Sequence, residues 1–146
     1  INQREAPSPR VKSLNYLNHI MAKVEATNAG ADDAIMLDSA GHIAEATGMN
    51  LFVWKNGALL TPPVFAGQLR GVTRDTIVEL ARQAGYPLQE TMLNRYDLYT
   101  ADEAFLTGTA AEVAPIRMVD GRIIGAGKAG PITRDIRARF QQLVRS

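Results

Sequence analysis

The chain has 146 residues, of which 46% are hydrophobic and 21% charged, and its formal net charge is +1. This composition is typical of one soluble globular domain, and the small net charge gives no electrostatic case for binding nucleic acid or an anionic membrane. There is no cysteine, which excludes a disulfide framework and a thiolate metal site, and no apolar run approaches the length of a membrane span. We therefore expect a cytoplasmic protein without nucleic-acid or membrane partners.

The beginning of the chain is typical of a linker followed by a helix. Residues 1–10 are polar and contain two prolines, so we assign them to an interdomain linker and residues 11–146 to one domain. A three- and four-residue spacing of apolar side chains then predicts a helix over about 14–27 with one apolar face. Gly30 is expected to end it in a left-handed conformation. The spaced residues are Leu14, Leu17, Ile20, Met21 and Val24.

Short apolar runs separated by turn signals predict strands through the middle of the chain. Asn56-Gly57 is the strongest hairpin signal, because both positions of that turn favour positive φ. Strands outnumber helices and hairpins outnumber long crossovers, which predicts a mixed, mainly antiparallel α+β domain. The predicted strands are 34–38, 42–46, 51–54, 58–60, 87–93, 103–107, 113–119 and 122–124.

Two further helices and one helical turn complete the prediction. The second helix opens at residues 71–73, with Thr73 or a neighbour as its cap and Asp75 in its first turn. A single helical turn is expected over 97–101. The last helix begins at Pro131, and its apolar residues fall at helical spacing. They are Ile132, Ile136, Phe140, Leu143 and Val144.

Four segments, in this order along the chain, resemble the class IV (fold-type IV) pyridoxal-phosphate aminotransferases. They are Lys12–Asn18 (KSLNYLN), Glu45–Phe52 (EATGMNLF), Gly71–Asp75 (GVTRD) and Thr107–Glu112 (TGTAAE). Branched-chain amino acid aminotransferases are the most similar members. The resemblance implies a D-amino acid aminotransferase-like fold, with a barrel-like, mainly antiparallel sheet surrounded by helices. Family members are about twice this length, so the chain resembles their C-terminal domain without the N-terminal one.

The resemblance also assigns roles to a lysine and a glutamate. Lys12 matches the catalytic lysine that forms a Schiff base with pyridoxal 5'-phosphate, a reaction that requires its amine to be neutral. The freed amine then moves a proton between the substrate and the cofactor. Glu45 matches the carboxylate that bonds the pyridine nitrogen and keeps the ring protonated, so that the cofactor can accept electrons.

Two turns match the family's anion-binding turns. Backbone N–H groups at a helix N-terminus form an anion site, and the resemblance assigns the cofactor phosphate to Val72 and Thr73. The Thr109 hydroxyl is assigned to the same phosphate, and the amides of Thr109 and Ala110 to the substrate carboxylate. Gly108 lets the backbone come close there.

The remaining cofactor contacts that the resemblance implies are near the ring. Tyr16 is assigned to the ring-hydroxyl side, and Gly48 and Asn50 are expected to flank the ring. Met49 differs from the acidic or polar residue common at its position. His19 and His42 have no metal-like spacing and no evident acidic partner, so we interpret them as surface or packing residues and expect no metal site.

The leading hypothesis is transamination between a branched-chain amino acid and a 2-oxo acid such as 2-oxoglutarate. A D-amino acid aminotransferase and an aminodeoxychorismate lyase, which use the same lysine, are alternatives within the fold. A further alternative is an incomplete, non-catalytic fragment, because in the family the N-terminal domain supplies part of the site. The expected partners are the substrates, that N-terminal domain and a second subunit, in a dimer or higher oligomer.

Overall fold

The computed structural model of the chain describes residues 17–63 and 71–146. Lys12, Tyr16 and the predicted linker lie outside these described residues. The elements in chain order are α1 (Leu17–Asn28), β1 (Ile35–Leu37), β2 (Ile43–Ala46), β3 (Asn50–Lys55), β4 (Ala58–Thr61), α2 (Val72–Gln83), β5 (Leu88–Glu90), α3 (Arg95–Tyr99), β6 (Glu103–Gly108), β7 (Glu112–Pro115), β8 (Met118–Val119), β9 (Arg122–Ile123) and α4 (Pro131–Arg145).

A five-stranded sheet in the order β5-β4-β3-β6-β7 is the centre of the described structure. Its strand pairs are antiparallel except β4 and β5, which are parallel and are connected through α2. The β1–β2 and β8–β9 pairs form two small antiparallel sheets. The prediction of a mixed, mainly antiparallel α+β domain is therefore confirmed.

The central strands are covered on both faces, because successive side chains of a strand point to opposite sides. Leu51 and Val53 belong to one buried cluster, together with side chains of β2, β6 and α3. Phe52 belongs to a second cluster, which β3 and β6 share with α2 and α4. Its ring stacks on that of Phe105 at 5.2 Å between centroids and 9° between planes. The sheet thus separates two hydrophobic cores.

The turn predictions agree with the observed backbone. Asn56 and Gly57 have φ of 52° and 74°, as the hairpin between β3 and β4 requires. Gly30, after α1, has a φ of 80°. The predicted turn over 97–101 is α3, which begins two residues earlier because Asn94 and Asp97 form a capping box. The predicted strand 113–119 is divided into β7 and β8.

The start of α2 differs from the prediction in one respect. Its cap is Gly71, in an extended conformation without a side-chain cap bond, and Thr73 lies inside the first turn. Asp75 is in that turn, as predicted. Because Gly71 lacks a side chain, the first N–H groups of the helix receive no side-chain oxygen from their own cap.

The apolar face predicted for α1 is on its exposed side. Its two buried residues are His19 and Ala26. The predicted apolar side is instead exposed, at Leu17, Ile20, Met21 and Val24 (57%, 53%, 61% and 54% exposed). Of the apolar residues spaced along the final helix, Ile136 and Phe140 are buried, whereas Leu143 and Val144, in its last turn, are exposed. Periodicity identifies an apolar face; it does not say what covers that face.

Candidate active site

Glu45 lies in β2 as a buried carboxylate, and its partner comes from α1. The Nε2 atom of His19 is 3.0 Å from Oε1 of Glu45, and the two side chains are 2% and 6% exposed. The interpretation of His19 as a histidine without an acidic partner was therefore wrong. His42 also faces a carboxylate, because its Nδ1 lies 3.5 Å from Oδ2 of Asp38. The His19–Glu45 contact joins residues that are 26 apart in sequence, whereas His42 and Asp38 are only four apart.

A tight turn connects Glu45 to the central sheet. The Ala46 N–H donates to the Met49 carbonyl at 2.9 Å, which closes the turn through Gly48. The Thr47 hydroxyl donates to the carboxylate of Asp33, a contact that sequence reasoning missed. Since Asp33 also accepts from the Ala34 N–H at 2.8 Å, it ties this turn to the segment before β1.

The turn closed by Met49 packs directly against the predicted turn at Gly108. A methyl group built on Gly108 would lie 2.9 Å from Met49 Cγ and 3.5 Å from the Gly48 carbonyl oxygen. The absence of a side chain at Gly108 therefore lets this turn lie close to Met49 and Gly48. An open cleft of about 490 Å³ lies alongside, between α1 and the two turns. It is lined by His19, Ile20, Lys23, Val24, Asp33, Thr47, Gly48, Met49, Ala110 and Ala111.

Asn50 connects the same segment to the start of α2. A methyl group built on Gly71 would lie 2.7 Å from Asn50 Oδ1, so the amide of Asn50 touches the cap of that helix. Asn50 pairs with Thr107 across β3 and β6. By strand alternation, both residues are on the sheet face that carries Phe52, where α2 packs. The Thr107 hydroxyl is fully buried and has no hydrogen-bond partner within the described part of the chain.

The two residues predicted to bind phosphate at the start of α2, Val72 and Thr73, differ in their exposure. Val72 is 84% exposed, whereas Thr73 and Arg74 are buried. Arg74, which sequence reasoning also missed, donates to Glu90 at 3.0 Å and to the Pro62 carbonyl at 3.3 Å. A buried guanidinium requires such partners, so Arg74 fixes the start of α2 against β5 and the end of β4.

Thr109 and Ala110 form the exposed loop between β6 and β7. Ala110 lines the cleft beside Met49. Glu45, Gly48 and Asn50 all lie in one segment, residues 45–50. The two predicted turns, at Gly71 and Gly108, pack against this segment.

Over residues 17–63 and 71–146 we find no group of acidic or histidine side chains able to hold a metal ion. No helix in those ranges is both long enough and apolar enough to cross a membrane.

The family profile described as amino-transferase class IV matches residues 1–119, and the chain belongs to this family. A putative branched-chain-amino-acid aminotransferase of Methanocaldococcus jannaschii is 48% identical over 136 residues, which are 93% of this chain and 47% of that protein. The branched-chain-amino-acid aminotransferase of Pseudomonas aeruginosa is 50% identical over 129 residues, or 88% of this chain and 42% of the relative.

Solved structures show the same relationship. The branched-chain aminotransferase of Thermobaculum terrenum, in its PLP-form, superposes with a TM-score of 0.93 at 40% identity, over 98% of this chain and 47% of its own. That of the archaeon Thermoproteus uzoniensis, solved with norvaline, gives 0.85 at 46% identity, over 89% of this chain and 43% of its own. The chain spans less than half the length of these relatives.

Proposed function

We propose that this chain is the cofactor-binding part of a pyridoxal 5'-phosphate-dependent aminotransferase, with residues 11–146 as its domain. The proposed reaction moves an amino group between a branched-chain amino acid and a 2-oxo acid such as 2-oxoglutarate. The observation that carries the proposal is that two glycine turns, at Gly71 and Gly108, approach the segment 45–50, which begins with a buried glutamate. Relatives named as branched-chain aminotransferases support the substrate class.

The described residues fit a phosphorylated pyridine. Gly71 and Gly108 allow the backbone of two turns to approach the segment 45–50 more closely than a β-carbon would permit. The buried Thr107 hydroxyl, which has no partner among the described residues, is a polar group beside the second turn. The first amides of α2 are donors at the positive end of a helix dipole, which suits a phosphate.

When bound, the cofactor supplies an electron sink for the bond that breaks at the substrate α-carbon. In this proposal Lys12 would hold the cofactor covalently in the resting enzyme, and its amine, once freed, would move the proton at the α-carbon. Glu45 accepts from the protonated pyridine nitrogen. The turn amides at Val72 and Thr73 and the Thr109 hydroxyl bind the phosphate, while Tyr16, Gly48 and Asn50 orient the ring. Amides of Thr109 and Ala110 bind the substrate carboxylate.

Borohydride reduction followed by peptide mass mapping tests the proposal in the longer polypeptide that the relatives' length leads us to expect. The expected result is a phosphopyridoxyl group on Lys12. Lys12→Ala should abolish the label, and Lys128→Ala should leave it unchanged. A label on Lys23, which lines the cleft, or on Lys55 would contradict the assignment.

A substrate panel decides among the reactions that share this lysine. Amino transfer from L-leucine, L-isoleucine and L-valine to 2-oxoglutarate supports the proposal. Transfer from D-amino acids alone, or release of pyruvate from aminodeoxychorismate without transfer, would assign the chain to one of the alternatives.

We also propose that an N-terminal half of the same protein, and a second subunit, complete the site. The chain matches 47% or less of the relatives described above. The exposed apolar side of α1 is next to the cleft, since Ile20 and Val24 belong to both. Exposed apolar surface of this kind marks an interface. Residues 1–146 alone are expected to bind cofactor weakly and to turn over little, so robust transamination by them alone would contradict this proposal.

A further inference from the structure

The contact between His19 and Glu45 carries an inference beyond the family assignment. In α1 the imidazole faces inward while four large apolar side chains are exposed. Burial of a polar ring is unfavourable unless it is hydrogen-bonded, so the Glu45 carboxylate offsets a cost that an apolar residue at position 19 would not incur. The histidine is therefore suited to a purpose other than core packing.

We propose that His19 is a positioning residue that holds the carboxylate of Glu45 in one orientation for the pyridine nitrogen of the cofactor. The inference rests on the proposed function. An ionised carboxylate only accepts hydrogen bonds, so in this contact the Nε2–H of His19 donates to Oε1, at 3.0 Å. A carboxylate has acceptor sites on both oxygens, and a bond to Oε1 is therefore compatible with a second donor.

The position of His19 along the chain gives this bond a further consequence. His19 is in the first turns of α1, seven residues after Lys12. The helix that follows the proposed catalytic lysine is thereby tied to the proposed partner of the pyridine nitrogen, over a sequence separation of 26 residues. Loss of the donor should disturb the Glu45 carboxylate directly, while the β2 backbone keeps its pairing with β1.

Two variants separate positioning from packing. His19→Gln retains an N–H donor near the position of Nε2, whereas His19→Leu removes it and keeps a buried side chain. The measurements are the dissociation constant for pyridoxal 5'-phosphate, the ¹⁵N signal of the bound pyridine nitrogen at saturation, and the melting temperature of the apoprotein. They are made on the longer polypeptide used for mass mapping. His42→Leu is the matched control, because His42 contacts Asp38 outside the cleft.

In His19→Leu we expect cofactor binding to weaken about tenfold, and the ¹⁵N signal to move toward that of an unprotonated pyridine. In His19→Gln affinity should stay within about threefold of the wild type, and the signal should stay unchanged. Wild-type affinity and signal in His19→Leu would overturn the inference. Equal weakening in both variants, in proportion to a lower melting temperature, would also overturn it, because that pattern indicates packing alone.

The ¹⁵N-histidine spectrum of the wild-type apoprotein provides a test that requires neither a variant nor cofactor. The expected result is a His19 Nε2-bound proton that exchanges slowly with solvent; rapid exchange overturns the inference even if His19→Leu does not fold. A wild-type protein that binds no cofactor, yet shows the slow proton, would refute the proposed function and the cofactor-directed role while leaving the His19–Glu45 bond established.

Discussion

The side-chain oxygen of Asn50 occupies the space that a β-carbon at position 71 would need, since the two would be 2.7 Å apart. The first residue of β3 can therefore contact the cap of α2 because Gly71 has no side chain. The contact joins the segment 45–50 to the turn proposed for the cofactor phosphate.

We expect Gly71→Ala to weaken cofactor binding more than it lowers stability. The added methyl displaces the end of a short side chain, so the free energy of unfolding should fall by only about 1 kcal/mol. The same methyl, however, should rotate the Asn50 amide away from the start of α2. The dissociation constant for pyridoxal 5'-phosphate should therefore rise about tenfold. Fluorescence titration and urea unfolding measure the two effects.

Arg82→Ala is the control for that variant, because Arg82 is exposed in the last turn of the same helix. Arg82→Ala should change neither the dissociation constant for the cofactor nor the free energy of unfolding. Unchanged cofactor affinity in Gly71→Ala would show that the Asn50–Gly71 contact does not contribute to the site.

Glu103 should contribute substantially to the stability of α4. Its buried carboxylate accepts from the N–H groups of Thr133 at 2.8 Å and Ile132 at 3.2 Å, at the positive end of that helix. Glu103→Ala leaves those donors without their partner and should lower the free energy of unfolding by about 2 kcal/mol. Denaturant unfolding with far-ultraviolet circular dichroism measures the loss. Asp102→Ala, at an exposed neighbouring position, should have little effect, and equal losses in both would refute the assignment.

The pair Tyr86–Asp135 predicts a pH-dependent contribution to stability. The hydrogen bond from Tyr86 lowers the pKa of Asp135, and the same bond raises the pKa of Tyr86. A lowered carboxyl pKa stabilises the fold above the unfolded value of about 3.9, and this stabilisation is lost as the pH falls through the folded value. The raised pKa of Tyr86 stabilises the fold at pH values below the unfolded tyrosine pKa of about 10. This stabilisation is lost as the pH rises through the folded pKa.

Tyr86→Phe should therefore lower the free energy of unfolding by about 0.5–1 kcal/mol at pH 7, and by much less at an acid pH below the lowered folded pKa of Asp135. Urea titrations at the two pH values measure the difference. Tyr96→Phe, on a ring that is 68% exposed, is the control. A penalty for Tyr86→Phe that stays constant between the two values would contradict the assigned bond.

The apolar side of α1 should behave differently in a longer polypeptide. Leu17→Ser with Met21→Ser should cost little in residues 1–146 alone, where both side chains are more than half exposed (57% and 61%). If an N-terminal half covers them, the same change should destabilise the longer protein by about 1–3 kcal/mol. Thermal unfolding of both forms makes the comparison. Equal, small effects in both would refute the proposed covering by the N-terminal half.

Local signals predicted much of the fold, because they depend on single residues. Asn56-Gly57 determined a hairpin through its own backbone preferences, and Pro131 marked the first residue of α4. The orientation of α1 could not be predicted in this way. Its apolar spacing marks one face of the helix, but the residue that faces inward is His19. The partner of His19 is Glu45, which is 26 residues away in sequence.

The candidate site could likewise be predicted in part from the sequence. Motif resemblance identified Glu45, Gly71 and Gly108, which the structure brings to one segment. The side chains that hold those motifs in place, Asp33 and Arg74, carry no local signal, because each acts through a distant partner. Lys12 and Tyr16 lie outside the described residues, and their roles stay predictions.

The double covering of β3 has a consequence for how the molecule opens. Val53 and Trp54 pair with β4 on one edge and with β6 on the other, and buried clusters lie on both faces of the strand, so their amide protons should exchange only when the whole domain unfolds. Asn50 is the first residue of the same strand. Hydrogen exchange should therefore be slowest within the strand that begins at the candidate site, whereas the exposed loop at Thr109 can fluctuate.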